Sequence, residues 1–269
     1  MGIDESFRSF RLLDRLAFGE TALHRLDARA KVLVTLIYIL TVISFGKYDL
    51  SALVPFFIFP AVMISAGRLP AGFILRKVLL LTPFVLMIGI FNPIFDREVL
   101  FRFGPVGISG GWISCASIVV RTMLTLGSAL ILVGVTGLPA ICGALERMGM
   151  PRTLAVQILF LYRYLFVLSE EATRAARARE LRTFGKRGLG MKTFASLLGH
   201  LLLRTWQRAE RIHMAMLARG FSGEFHTRRK FFFGVREVLF LTGWTALFIS
   251  LRYWNLSRIL GDLLTGILS

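Results

Sequence analysis

The chain has 269 residues, 55% of them apolar, with 33 Lys and Arg against 16 Asp and Glu, for a net charge of +17. A mean hydropathy of +0.66 excludes an ordinary soluble domain and makes this a membrane protein by composition. With the apolar mass assigned to a bilayer, the basic excess reads as cytoplasmic positive charge, and no element that reads nucleic acid accompanies it.

Residues 1–31 alternate charged and apolar positions and hold no apolar core of the length a signal peptide requires, so they are expected to stay as a cytoplasmic N-terminal segment. A helix that crosses a bilayer needs about 20 mostly apolar residues. Uncharged runs at 32–46, 50–67 and 78–95 are the first three candidates. A fourth run, 103–145, is interrupted only by Arg121. Gly104, Pro105, Gly107, Gly110 and Gly111 at its start read as a loop, which places the fourth crossing from Trp112 to about Val135 and groups residues 32–135 as four crossings. The short gap between the first two runs also permits a re-entrant pair. In the C-terminal segment, 231–269, a fifth crossing is expected over about 231–251, with Trp244, Tyr253 and Trp254 as interface anchors.

Orientation follows from Lys and Arg alone. With the N-terminus cytoplasmic, residues 1–31 contribute six, 68–77 three and 146–237 eighteen, so 27 of the 33 lie inside and five lie outside, with Arg121 within a crossing. The expected architecture is therefore all-α: about five transmembrane helices, N-in and C-out, in a multi-pass protein of a bacterial inner membrane. Two long cytoplasmic helices complete it.

Those helices lie in the insert 136–230. A first helix is expected from Arg152 to about Phe184, with Pro151 where a first-turn proline is tolerated and Gly185 near the stop. Its apolar half, 154–168, is too short to cross alone and is expected along the interface or under the crossings. Its other half is charged, and Glu170 stands four residues before Arg174, a weak same-face ion pair. A second helix runs from about Met191 to Arg219 and stops at Gly220. Leu197 and Leu201 belong to its apolar stripe, Arg204, Arg208 and Arg211 to a basic one. Each helix ends in a triplet of a small residue, an arginine and a residue able to end the turn: Ala178-Arg179-Glu180 and Ala218-Arg219-Gly220, with Ala176-Arg177-Ala178 as a second register for the first.

Two such triplets on successive basic helices resemble the coupling helices of an energy-coupling factor transporter, and the chain resembles its transmembrane T component. Tyr162-Arg163-Tyr164-Leu165-Phe166-Val167-Leu168 before Glu170-Glu171 is most similar to the cobalt-type, CbiQ-like branch. So are Arg208-Ala209-Glu210-Arg211 leading to Met216-Leu217-Ala218-Arg219-Gly220-Phe221, and the early His24-Arg25-Leu26-Asp27-Ala28-Arg29-Ala30-Lys31. The resemblance implies a scaffold that holds a separate substrate-binding membrane subunit, here for cobalt, against a pair of ABC-type ATPases. It also implies that Arg179 and Arg219 dock on those ATPases, and that the chain itself neither hydrolyses ATP nor carries a cofactor. The sequence agrees in holding no G-x-x-x-x-G-K-[ST] phosphate loop and no H-E-x-x-H.

Nickel or a vitamin as substrate, a membrane-embedded enzyme with a cytoplasmic-face site, and a self-sufficient permease are the rival readings. An enzyme would need converging acidic, His or Cys residues, and a permease a polar midplane path, for which only Arg121 qualifies. Arg121 is a candidate contact to the substrate subunit or a structural residue satisfied by backbone carbonyls. Gly127, Ser128 and Ala129 are candidates for a close helix contact, also with that subunit. His24, His200, His213 and His226 are scattered and are expected to be structural, and Cys115 and Cys142 offer no metal-ligand spacing. The basic surface is also expected to attract anionic lipid.

Overall fold

The computed structural model describes residues 16–17, 19, 21–47, 49–92, 99–103, 106–182, 191–221 and 234–253, with the side chains of 99–109, 179–180, 182, 191–194 and 197 left aside. The regular elements are α1 (Ala28–Ile43), α2 (Leu50–Gly67), α3 (Ala71–Gly89), β1 (Val99–Phe103), β2 (Val106–Ser109), α4 (Gly110–Thr136), α5 (Leu138–Arg147), α6 (Arg152–Arg182), α7 (Met191–Ala218) and α8 (Val235–Tyr253). The protein is an all-α polytopic membrane protein. Its two short strands pair as one antiparallel hairpin, where the glycines had suggested only a loop. The chain divides into two compact units, with boundaries after Ile141 and after Lys230.

Among the described residues, four helices are long and apolar enough to cross a membrane: α2, α3, α4 and the Arg152–Ala178 part of α6. The third and fourth begin earlier than the uncharged runs suggested, because Arg76 and Lys77 lie on α3 rather than in a loop, and Gly110 and Gly111 open α4. The Lys77 ammonium stands 5.8 Å from the Phe73 ring centroid. Two expected crossings fall outside that set. α1 has 16 residues, about 24 Å of helix against about 30 Å of hydrocarbon, and α8 carries Arg236, Glu237 and Arg252 at its ends. The apolar half of α6, expected as a segment too short to cross, belongs to one continuous 31-residue helix.

In the unit formed mainly by α1–α4 and α8, α4 packs along α1, α2 and α3, and α8 packs on α1. Small residues permit this. Gly110, Gly111, Ser114, Cys115, Ser117, Gly127 and Ser128 are all buried on α4, as expected where backbones approach closely in a membrane. A Cβ at Gly89 of α3 would stand 2.9 Å from the Cys115 sulfur.

The core is aromatic. Tyr38 lies 4.5 Å from Phe59 and 5.3 Å from Phe248 between ring centroids, and Trp244 lies edge-on to Phe59 at 4.9 Å. Tyr38 also solves a backbone problem. The helical partner of the Phe56 carbonyl would be the N–H of residue 60, but residue 60 is proline. The Tyr38 hydroxyl donates to that carbonyl instead, at 3.1 Å. Elsewhere the hydroxyls of Thr35, Thr41, Thr122 and Thr245 donate to carbonyls one turn back on their own helices, which gives each of these four donors a partner.

Capping residues set the helix ends. The Asp27 carboxylate accepts from the Arg29 N–H at the start of α1. Glu237 reaches back to the Gly234 N–H at 2.9 Å, half of a capping box that starts α8. At the end of α2, Arg68 adopts the left-handed conformation (φ 49), and the Leu69 and Arg68 amides bond back to Ile64 and Ser65.

Candidate coupling site

The expected coupling residues lie at the ends of α6 and α7. α7 ends at Ala218, Gly220 is left-handed (φ +74), the Phe221 amide donates to the Met216 carbonyl and the Gly220 amide to that of Leu217, each at 3.0 Å. This is the Schellman arrangement, in which a residue without Cβ takes the reversal. It holds the backbone of Arg219 as the last half-helical residue with the residue exposed, so the second triplet presents one arginine from a fixed backbone.

The first triplet differs. Glu180 does not end the turn, since α6 continues to Arg182. Ala178 is exposed on that helix, and the Arg179 and Glu180 side chains lie outside the described residues. Arg174 Nε donates to the Glu170 backbone carbonyl one turn back, at 3.3 Å.

Between α6 and α7 runs a groove of about 470 Å³, walled by Phe160, Tyr164, Leu168, Leu202, Trp206 and Met216. Leu168 stands one turn before Glu171, whose side chain is only 13% exposed. The Glu171 carboxylate takes Arg204 on Oε1 at 3.3 Å and Arg208 on Oε2 at 3.2 Å. The sequence reading missed this fork. Its local signal was the pair of arginines one turn apart on α7, a like-charge spacing that asks for a counter-ion.

The intramembrane candidates have partners inside the chain. Arg121 donates from Nη2 to the Gly46 carbonyl at 3.1 Å, with the Ser117 hydroxyl at 3.5 Å, while its buried Nε has no hydrogen-bond partner among the described residues. In the same turn Arg252 donates to the Ser44 carbonyl at 3.1 Å and stacks 4.2 Å from the Phe45 ring centroid. Gly127 is buried and faces Val78 of α3, and Ser128 is buried beside it.

Among the described residues, no three His, Cys, Asp or Glu side chains gather to hold a metal. His24 is buried, with Nε2 3.0 Å from the Leu16 carbonyl and Nδ1 2.7 Å from the Thr21 hydroxyl. His200 and His213 are exposed on α7, and His226 lies outside the described residues. Cys115 and Cys142 are free and buried, and burial pushes the Cys142 thiol above its usual range.

Comparison with known proteins joins these features. The family model of the cobalt transport protein CbiQ matches residues 19–230, which span both long helices and the early 24–31 segment. The cobalt transport protein CbiQ of Salmonella typhimurium is 31% identical over 153 residues, 52% of this chain and 68% of that protein. The energy-coupling factor transporter transmembrane protein EcfT of Streptococcus thermophilus is 26% identical over 263 residues, 90% of this chain and 97% of its own. That of Bacillus subtilis is 25% identical over 221 residues, 76% and 82% respectively. With a membrane-embedded aromatic core, two long basic helices and a family match over most of its length, the chain belongs to the CbiQ cobalt transport family and is a transmembrane T component of an energy-coupling factor transporter.

Proposed function

We propose that the protein is the coupling subunit of an importer for cobalt(II), transmitting the motion of a pair of ABC-type ATPases to a separate substrate-binding membrane subunit through Arg179 and Arg219. ATP hydrolysis belongs to the ATPases, and this chain is a lever. The observation that carries the reading is the end of α7, where the Schellman turn presents Arg219 exposed on a fixed backbone. Arginine suits that place, because its planar fork bonds carboxylates or carbonyls bidentately and keeps its charge when desolvated. Cobalt is favoured over nickel or a vitamin by the likeness to proteins named for cobalt transport.

The orientation proposed is N-terminus and long helices in the cytoplasm of a bacterial inner membrane. α6 is apolar enough to cross, but a crossing there would carry Arg204, Arg208, Arg211 and Arg219 to the outer face. The positive-inside bias opposes that. Its apolar half is therefore assigned to the membrane interface, with the basic half in water or against anionic lipid. Arg121 Nη2 donates to the Gly46 carbonyl and Gly127 faces Val78, contacts within the chain that favour a structural role for both over a contact with the substrate subunit.

The test is Arg219→Glu, alone and with Arg179→Glu. Cobalt uptake by the single variant should fall at least tenfold with membrane insertion unchanged, and the double variant should lose the ATPases that co-purify with wild type in detergent. Full uptake by Arg219→Glu would overturn the reading.

A further inference from the structure

We propose that Glu171 is a positioning residue for coupling: its carboxylate locks α7 onto α6, so that the two arginine triplets move as one body. The inference rests on the coupling reading above and adds to it a residue outside both triplets.

Three observations carry it. The carboxylate is shared, one oxygen to each of two guanidiniums on successive turns of α7, at 3.3 and 3.2 Å. Glu171 is also largely withdrawn from solvent, while Arg204 and Arg208 reach it from side chains 73% and 41% exposed, so the carboxylate end of the fork is the less screened one. Finally, the helices beside the fork do not interdigitate closely. They leave the apolar groove, and Trp206 on its wall is 73% exposed. The groove leaves room for the helices to shift beside the fork, and the fork is the polar tie across it.

The position suits a fulcrum. Eight residues of helix, about 12 Å, separate Glu171 from Arg179, and eleven, about 16 Å, separate Arg208 from Arg219. A displacement at either tip reaches the other only if the helices are fixed to each other near the tips. Removing the carboxylate does more than delete an attraction. It leaves Arg204 and Arg208 one turn apart with no counter-ion between them, a repulsive pair that opens the crossing. Neighbouring Glu170 cannot substitute, since it is exposed and lies about 100° away around α6.

The experiment uses the complex of this protein with its ATPases and substrate subunit, reconstituted in liposomes, measuring ATP hydrolysis and cobalt(II) uptake together. Glu171→Gln should retain the ATPases and hydrolyse ATP within about twofold of wild type, while cobalt taken up per ATP falls at least fivefold. The triple exchange Glu171→Arg, Arg204→Glu, Arg208→Glu rebuilds the fork with charges reversed and should recover most of that ratio. A purely structural Glu171 would lower hydrolysis and uptake together, leave the ratio unchanged and overturn the proposal.

A second measurement needs no partner. Spin labels at Ala178→Cys and Ala218→Cys, with Cys115 and Cys142 replaced by alanine, should give a narrow distance distribution. It should broaden in Glu171→Gln and narrow again in the triple exchange. An unchanged width would overturn the proposal even where the coupling reading stands. Wild-type protein that captures no ATPase would sink the coupling reading, and the proposal with it, whatever the spin labels show.

Discussion

The aromatic core around α1 and the pair of long helices α6 and α7 treat the same residue types in opposite ways. Around α1, the aromatic side chains Tyr38, Phe56, Phe59 and Phe248 are fully enclosed, and Arg121 and Arg252 donate to carbonyls of the chain itself. Along α6 and α7, Leu161, Leu202, Leu203, Trp206 and Met214 stand exposed, and the ion pairs of Glu171 tie one helix to the other. The first arrangement encloses its rings within the chain. The second holds apolar surface and positive charge at the ready, which is the property of a segment completed by lipid and partner proteins. The coupling role proposed above would use both: an anchor that keeps its shape, and an arm whose surface is free to meet a partner.

The comparison breaks most readily at the aromatic core. Phe248→Ala should lower stability by about 3–5 kcal/mol, since it removes a ring packed on four others. Truncating the exposed Trp206 to alanine should change it by no more than about 0.5 kcal/mol. Thermal melting of the two variants in one detergent measures the difference, and equal losses would erase the distinction between the units. Tyr38→Phe comes next. It preserves the ring and deletes only the donor to the Phe56 carbonyl, so a loss of about 1–3 kcal/mol in the same melt is expected. A neutral result would show that this carbonyl needs no partner.

The two left-handed helix ends sharpen the comparison at smaller scale. Gly220→Ala puts a Cβ where the Schellman turn requires φ +74, a strain of about 1 kcal/mol. It should show as weaker ATPase capture rather than as a lower melting temperature, because the change lies at the tip of an exposed helix. Arg68 already bears that strain at the end of α2. Arg68→Gly should therefore raise stability slightly, by less than about 1 kcal/mol, with ATPase capture unchanged. Melting and co-purification of both variants, side by side, would separate the folding role of one turn from the presenting role of the other.

Much of this was legible in the chain itself, for local reasons. Apolar runs of bilayer length announce membrane helices wherever they occur, so α2, α3 and α4 were visible from composition alone. The stop of α7 was readable from Gly220, because a left-handed turn selects for a residue without Cβ. Starts were read less well. α3 and α4 begin before their uncharged runs because a helix end is set by backbone geometry, and Arg76 and Lys77 are as compatible with a first turn as with a loop.

What the sequence by itself determined, then, was the kind of protein, the two long basic helices and the arginine at the end of the second. The tertiary structure alone decided which polar groups find each other. Arg121 meets a carbonyl 75 residues away, Arg252 one 208 residues away, and Glu171 a guanidinium 37 residues away. Hydrophobic periodicity and turn chemistry act within a few residues and can be read along the chain. A hydrogen bond or ion pair requires atoms within about 3 Å of one another, and only the packing of whole helices brings such distant atoms that close.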